Sequence, residues 1–161
     1  KYFDLKDYTF TGANKQEVKQ EFLKALEISA KDKISMGLYM KNVNKFYLLT
    51  LREDVSSILD EFEVPEVLKT LDLTVLHKVL LTKELGFTEE EQMAQNGIKY
   101  IKVENEAFDM IDFGKAEATF IMAYPKIEDI RRISEAGYRM PQKSTYFYPK
   151  LLSGIVINPI S

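Results

Sequence analysis

Ile34-Ser35-Met36-Gly37-Leu38-Tyr39-Met40-Lys41-Asn42-Val43-Asn44-Lys45-Phe46-Tyr47-Leu48-Leu49-Thr50-Leu51 is the stretch on which the fold turns. Two runs rich in β-formers, 34–40 and 45–51, flank four residues containing two Asn, the composition of a β-hairpin with a short turn. Alternation places Phe46 and Leu48 on one face of the second run and Tyr47, Leu49 and Leu51 on the other. A strand that is apolar on both faces belongs inside a sheet covered on both sides.

Upstream, Asn14 followed by Glu17 has the spacing of a capping box and predicts a helix start. Val18, Phe22, Ala25, Leu26 and Ile28 form its apolar stripe, with Lys15, Lys19, Glu21, Lys24 and Glu27 mostly opposite, and the helix is expected to end near Ala30. Downstream, 52–70 is a polar, acid-rich connection holding Pro65, with a short helix expected around 54–62. A broad apolar arc of Leu73, Leu76, Val79, Leu80 and Leu81 marks a deeply buried helix over 71–86, with Gly86 as its left-handed stop. Residues 88–96 read as a solvated loop or lid.

From Gly97 the pattern becomes strand, helix, strand, helix, strand. The expected elements are a short strand over 98–103, a helix over 105–113 stopped by Gly114, and a buried strand over 116–124. A second helix over 125–136 carries Ile127, Ile130 and Ile133, has Glu128 and Asp129 in its first turn, and stops at Gly137. One or two closing strands fall in 144–157. The whole reads as a single α+β domain over 1–161, a mixed, mostly antiparallel sheet covered by about four helices.

Composition narrows the chemistry. The 161 residues are 45% hydrophobic, enough for a packed core, and the net charge of −3 supplies no general basic field for a polyanion, so nucleic acid is an unfavoured partner. The absence of Cys removes disulfides, thiolate metal sites and a cysteine nucleophile, and a single His excludes any site built on two imidazoles. No run approaches the roughly 18 apolar residues of a membrane span, so no membrane partner and a cytoplasmic location are expected. The chain begins at Lys1 rather than Met, without a signal- or transit-peptide pattern, as a piece of something longer would.

Four groups of residues invite a chemical reading. His77 falls within the apolar arc of its helix, where a buried histidine satisfied by one hydrogen bond is favoured over a general base. Glu89-Glu90-Glu91 suggests a magnesium site, yet adjacent glutamates diverge, and a solvated face is favoured. Asp109 and Asp112 share a helix face without any mark separating them from ordinary surface acids. After Glu135 there is no acid, while Arg139, Lys143 and Lys150 are present, making a local positive patch.

If 143–148 is extended, Lys143, Thr145 and Phe147 share one face, and Ser144, Tyr146, Tyr148 and Lys150 the other. Neighbouring ammonium and hydroxyl donors are what phosphate or carboxylate recognition requires. The candidate ligand-binding set is therefore Arg139, Lys143, Ser144, Tyr146 and Lys150. A protected edge strand with half-buried tyrosines accounts for the same residues without a ligand.

Met140-Pro141-Gln142-Lys143-Ser144-Thr145-Tyr146-Phe147-Tyr148-Pro149-Lys150, followed by Ser153-Gly154-Ile155-Val156-Ile157, resembles the closing signature of the Domain of Unknown Function 1015 family. Leu71-Asp72-Leu73-Thr74-Val75-Leu76-His77 running into Leu85-Gly86, and Ala136-Gly137-Tyr138-Arg139, match that family's pattern in order, so the similarity spans roughly 71–157. Family members are longer, and their N-terminal half carries an Asp-Gly-His-His-Arg motif resembling the free-serine kinases and the ParB-like nucleotide-binding fold. That motif is absent here.

The resemblance therefore implies the C-terminal accessory half of a nucleotide-dependent, kinase-like protein. Its partner would be the N-terminal half, and ATP and Mg would belong to the whole protein, with no catalytic residue, cofactor or metal in this chain. On this view Lys143, Ser144, Tyr146 and Lys150 would neutralise a phosphate at an interdomain cleft. A non-enzymatic module sensing a small ligand in an apolar pocket between helices and sheet, and a structural domain of a DNA-associated ParB-like protein, are the alternatives.

Overall fold

In the computed structural model, which describes residues 1–141, the expected hairpin forms from β2 (Ser35–Met40) and β3 (Lys45–Leu51). Asn42 takes the left-handed conformation in the turn, with φ 61°, a role Asn tolerates better than most residues. β1 (Phe3–Thr9) pairs with β3 from Phe3↔Leu51 to Thr9↔Lys45, and β4 (Ala118–Met122) pairs with β2 from Met36↔Met122 to Met40↔Ala118. The order is β1-β3-β2-β4, so β3 lies inside the sheet as its two apolar faces require, and all these pairings are antiparallel.

The helices are α1 (Lys15–Ser29), α2 (Glu66–Lys69), α3 (Asp72–Val75), α4 (Glu89–Ala94), α5 (Glu104–Asp112) and α6 (Ile127–Glu135). A 3₁₀ segment spans Glu53–Glu61, and α3 continues as a π-helix over Leu76–Glu84 until Gly86 closes it at φ 76°. The fold is α+β.

Each face of the sheet carries its own core. On one face Tyr8, Tyr39, Phe46, Leu48 and Ile121 meet Phe22 and Leu26 of α1 and Ala107, Phe108 and Ile111 of α5. Phe22 stacks on Phe46 with ring centroids 5.2 Å apart. On the other face Met36, Leu49 and Leu51 meet Ile58 and Leu59 of the 3₁₀ segment and Val75, Leu76, Val79 and Leu81 of the long helix. Burying each Val, Leu, Ile, Phe or Met side chain among these contributes about 1.5–3 kcal/mol, which is how short, weakly helical segments are held in place.

Several expectations are corrected. β1 was not foreseen, because Asp4, Lys6 and Asp7 break its alternation; it is an outer strand, and all its residues but Tyr8 are at least partly exposed. Residues 88–96 contain a helix rather than a loop: the Thr88 side chain accepts from the Glu91 N–H at 3.1 Å, and the Glu91 carboxylate accepts from the Thr88 N–H at 2.8 Å. Residues 98–103 make no strand among the described residues; Ile98 and Ile101 instead pack against the cores from an irregular segment. β4 is the outermost described strand on its side, and only Ile121 in it is fully buried.

In α1 the helix starts where Asn14 predicts, but no capping box forms. The Asn14 Oδ1 accepts from the Thr11 N–H and hydroxyl, at 2.6 and 2.9 Å. Ile28 is exposed and Lys19 buried, the reverse of the expected stripe, because α5 packs beside α1. The Lys19 ammonium donates to Asn105 Oδ1 at 2.7 Å and lies 3.9 Å from the centre of the Phe108 ring. In α6 only Ile133 of the isoleucine stripe is fully buried, and Ile127 projects into solvent.

Gly37 sets how closely α1 approaches the sheet. A Cβ there would lie 2.4 Å from Phe22 Cζ and 3.2 Å from Ile121 Cβ. Gly37→Ala is expected to destabilise the fold by about 1–3 kcal/mol, read as a lower urea midpoint at unchanged slope.

Candidate functional site

Where β3 ends, β2 begins and β4 runs into Pro125, the sheet, α2, α3 and α6 leave a cleft of about 760 Å³. That volume lies within the range of small-molecule sites. Ile34, Leu51, Leu71, Leu73 and Met122 give it an apolar floor. Its walls carry four basic side chains and five acidic ones, so the described part is not a dedicated anion site.

Most of these charges are already engaged. Lys69 donates to Asp60 at 2.5 Å and pairs with Glu66 at 2.8 Å. Arg132 donates through one terminal nitrogen to the Thr70 hydroxyl at 2.5 Å and to Asp129 at 2.9 Å. Lys126 donates to the Lys31 backbone carbonyl at 2.5 Å. Asp72, at the start of α3, accepts the Leu73 N–H on Oδ1 at 2.7 Å.

Burial is the largest influence on Asp72 and pushes its carboxyl above the ordinary carboxylate range. The Asp129 charge adds to this, while the Leu73 N–H and Lys126 act in the opposite direction. A half-buried acid with a raised pKa facing a cleft has the character of a functional group.

The sequence-derived candidates are distributed unevenly. Arg139 is exposed and precedes Met140, which lines the cleft. Lys143, Ser144, Tyr146 and Lys150, and the closing strands expected over 144–157, lie outside the described residues. His77 is half-buried, its Nε2 is 3.5 Å from the Tyr100 hydroxyl, and burial followed by Lys78 lowers its pKa. This is the neighbourhood of a packed histidine. Glu89 pairs with Lys78 and Glu91 caps α4, and among the described residues no group of three or more acids or histidines is placed to hold a metal.

One cluster escaped the sequence reading. The Tyr39 hydroxyl donates to Asp112 Oδ1 at 2.7 Å, and Lys15 donates to Asp112 Oδ2 at 2.5 Å and to the Tyr39 oxygen at 3.1 Å. Desolvation alone would raise Asp112, but the Lys15 and Tyr39 hydrogen bonds outweigh it and leave the carboxyl below its usual range. Burial, then Asp112, raises Tyr39, which therefore stays a neutral donor. The cluster ties α1, β2 and α5 together. Its members are 24 and 73 residues apart, so no local pattern announces it.

No family model matches the chain, and no curated protein or solved structure shows significant similarity to it.

The two acids have opposite pH signatures. The folded pKa of Asp72 is raised, so its stabilising contribution is complete below its unfolded value of 3.8 and is lost as pH rises through the folded value. Asp72→Asn, which can keep the Leu73 hydrogen bond, is expected to melt higher than the parent at pH 7 and level with it near pH 3. The folded pKa of Asp112 is lowered, so its contribution is present above 3.8 and is lost as pH falls through the folded value. Asp112→Asn is expected to melt lower at pH 7, the gap closing in acid.

Proposed function

We propose that this chain is the accessory, ligand-holding half of a nucleotide-dependent, small-molecule kinase-like protein of the Domain of Unknown Function 1015 family, and that the cleft between sheet, α3 and α6 takes its small polar ligand. The observation that carries the reading is the cleft itself: an apolar floor under charged walls, with a half-buried carboxyl facing it. The resemblance over 71–157 supports it, and so does the path of the chain. Met140, the residue before Pro141 at the end of the described chain, lines the cleft.

The chemistry that breaks and makes bonds is assigned to the N-terminal half, with ATP and Mg. Arg139, Lys143, Ser144, Tyr146 and Lys150 would add positive charge and hydroxyl donors where that half closes over the cleft. A cytoplasmic location is part of this reading; no helix among the described residues is long and apolar enough to cross a membrane.

A second reading, a regulatory module that senses a metabolite without catalysis, draws on the same cleft. A DNA-associated role has only the ParB likeness behind it and is disfavoured by the net charge of −3.

A thermal-shift series with nucleotides, sugar phosphates and amino acids tests the ligand-holding role. A ligand present at 100 times its Kd stabilises the folded chain by about 2.7 kcal/mol, so at least one class is expected to raise Tm by several degrees. Flat melts throughout would overturn it. In a longer chain that includes the N-terminal half, Lys143→Ala is expected to weaken ATP binding, and unchanged affinity would remove its phosphate role.

A further inference from the structure

Four charged groups of the cleft have no charged partner within ion-pair distance among the described residues: the exposed Asp32 and Lys33, and Asp72 and Lys126, of which Asp72 is half-buried and Lys126 acts on it electrostatically. Lys69 and Arg132 are matched by carboxylates within ion-pair distance. Asp72 and Lys126 are not: among the described residues Asp72 is held by the Leu73 N–H and Lys126 donates to the Lys31 carbonyl, both backbone groups. The two side chains influence each other electrostatically, yet no ion pair within 4.0 Å joins them. An acid and an ammonium thus face one cavity with a gap between them.

The paired groups of the cleft keep partners of their own. Asp129 is engaged by Arg132, whose contacts to Thr70 and Asp129 use one of its terminal nitrogens. The Arg132 fork therefore retains donors in the cleft that Lys126 also lines. Asp72 has one oxygen committed to Leu73, which leaves Oδ2 as an acceptor. Beneath lies the apolar floor of Leu51, Leu73 and Met122, which suits a short carbon skeleton.

We infer that the cleft selects a small zwitterion, a molecule whose ammonium sits on Asp72 and whose anionic group, carboxylate or phosphate, sits on Lys126 and Arg132. The inference rests on the ligand-holding reading above and deepens it by naming the ligand class. Selection follows because each charge on the ligand satisfies a group that the fold leaves held only by its own backbone. A molecule with one charge leaves the other group without a charged partner.

Calorimetric titration of the chain with β-alanine and O-phosphoethanolamine, against propionate, ethanolamine and inorganic phosphate, tests this. The two zwitterions separate a carboxylate from a phosphate requirement. At least one is expected to bind about tenfold or more tightly than its singly charged counterparts, the scale of one charge-assisted hydrogen bond. Asp72→Asn, checked for folding by circular dichroism, is expected to bind β-alanine no better than propionate, and Lys126→Met to lose most of the preference for the anionic group. Propionate binding as tightly as β-alanine, or Asp72→Asn retaining the full preference, would overturn the zwitterion inference and leave ligand holding intact. Silence from every probe here and in the broader thermal-shift series would overturn both.

Discussion

Strand β3 is apolar on both sides, and that constraint organises the rest of the chain. Phe46 and Leu48 on one face and Leu49 and Leu51 on the other are all buried. A sheet built around such a strand needs a helical layer on each side, and the layers come from different parts of the sequence. α1 and α5 cover the Phe46 face; the 3₁₀ segment and the long helix begun by α3 cover the Leu49 face. The first layer sits close because Gly37 lets the Phe22 ring reach the strand backbone.

The layers differ in what they leave open. The Phe46 side is filled by aromatic rings in contact: Phe10, Phe22, Tyr39, Phe46 and Phe108. It is locked at its edge by Lys15, Tyr39 and Asp112. On the Leu49 side, short helices meet the ends of the strands, and Leu51 and Met122 become the floor of a cleft. A carboxyl placed there pays a desolvation cost that the core has no need of, which is why Asp72 is a better functional candidate than the better-satisfied Asp112.

Legibility tracked the range of the deciding interaction. The hairpin, the helix stop at Gly86 and the helix ahead of Gly114 were readable because turn chemistry and periodicity act over a few residues. The capping box at Thr88 and Glu91 was also written locally, but three adjacent glutamates made the segment look like loop. β1 and the irregular run over 98–103 were misjudged because strand formation depends on a partner far away in sequence: charged β1 found β3, while the apolar run found none among the described residues. The position of Lys19 likewise depends on α5, 86 residues from it at the Asn105 contact.

By itself the sequence determined the fold class, the interior place of β3 and the exclusion of thiol and multi-histidine chemistry, because these follow from side-chain type and short-range period. It also located a basic, hydroxyl-rich segment after Glu135. Only the tertiary structure decided which charges face a common space. Asp72 is more than fifty residues of chain from Lys126 and Arg132, and they line one cleft because α3 and α6 converge at one end of the sheet. A cleft is a property of packing between elements, and no residue pattern within one element specifies it.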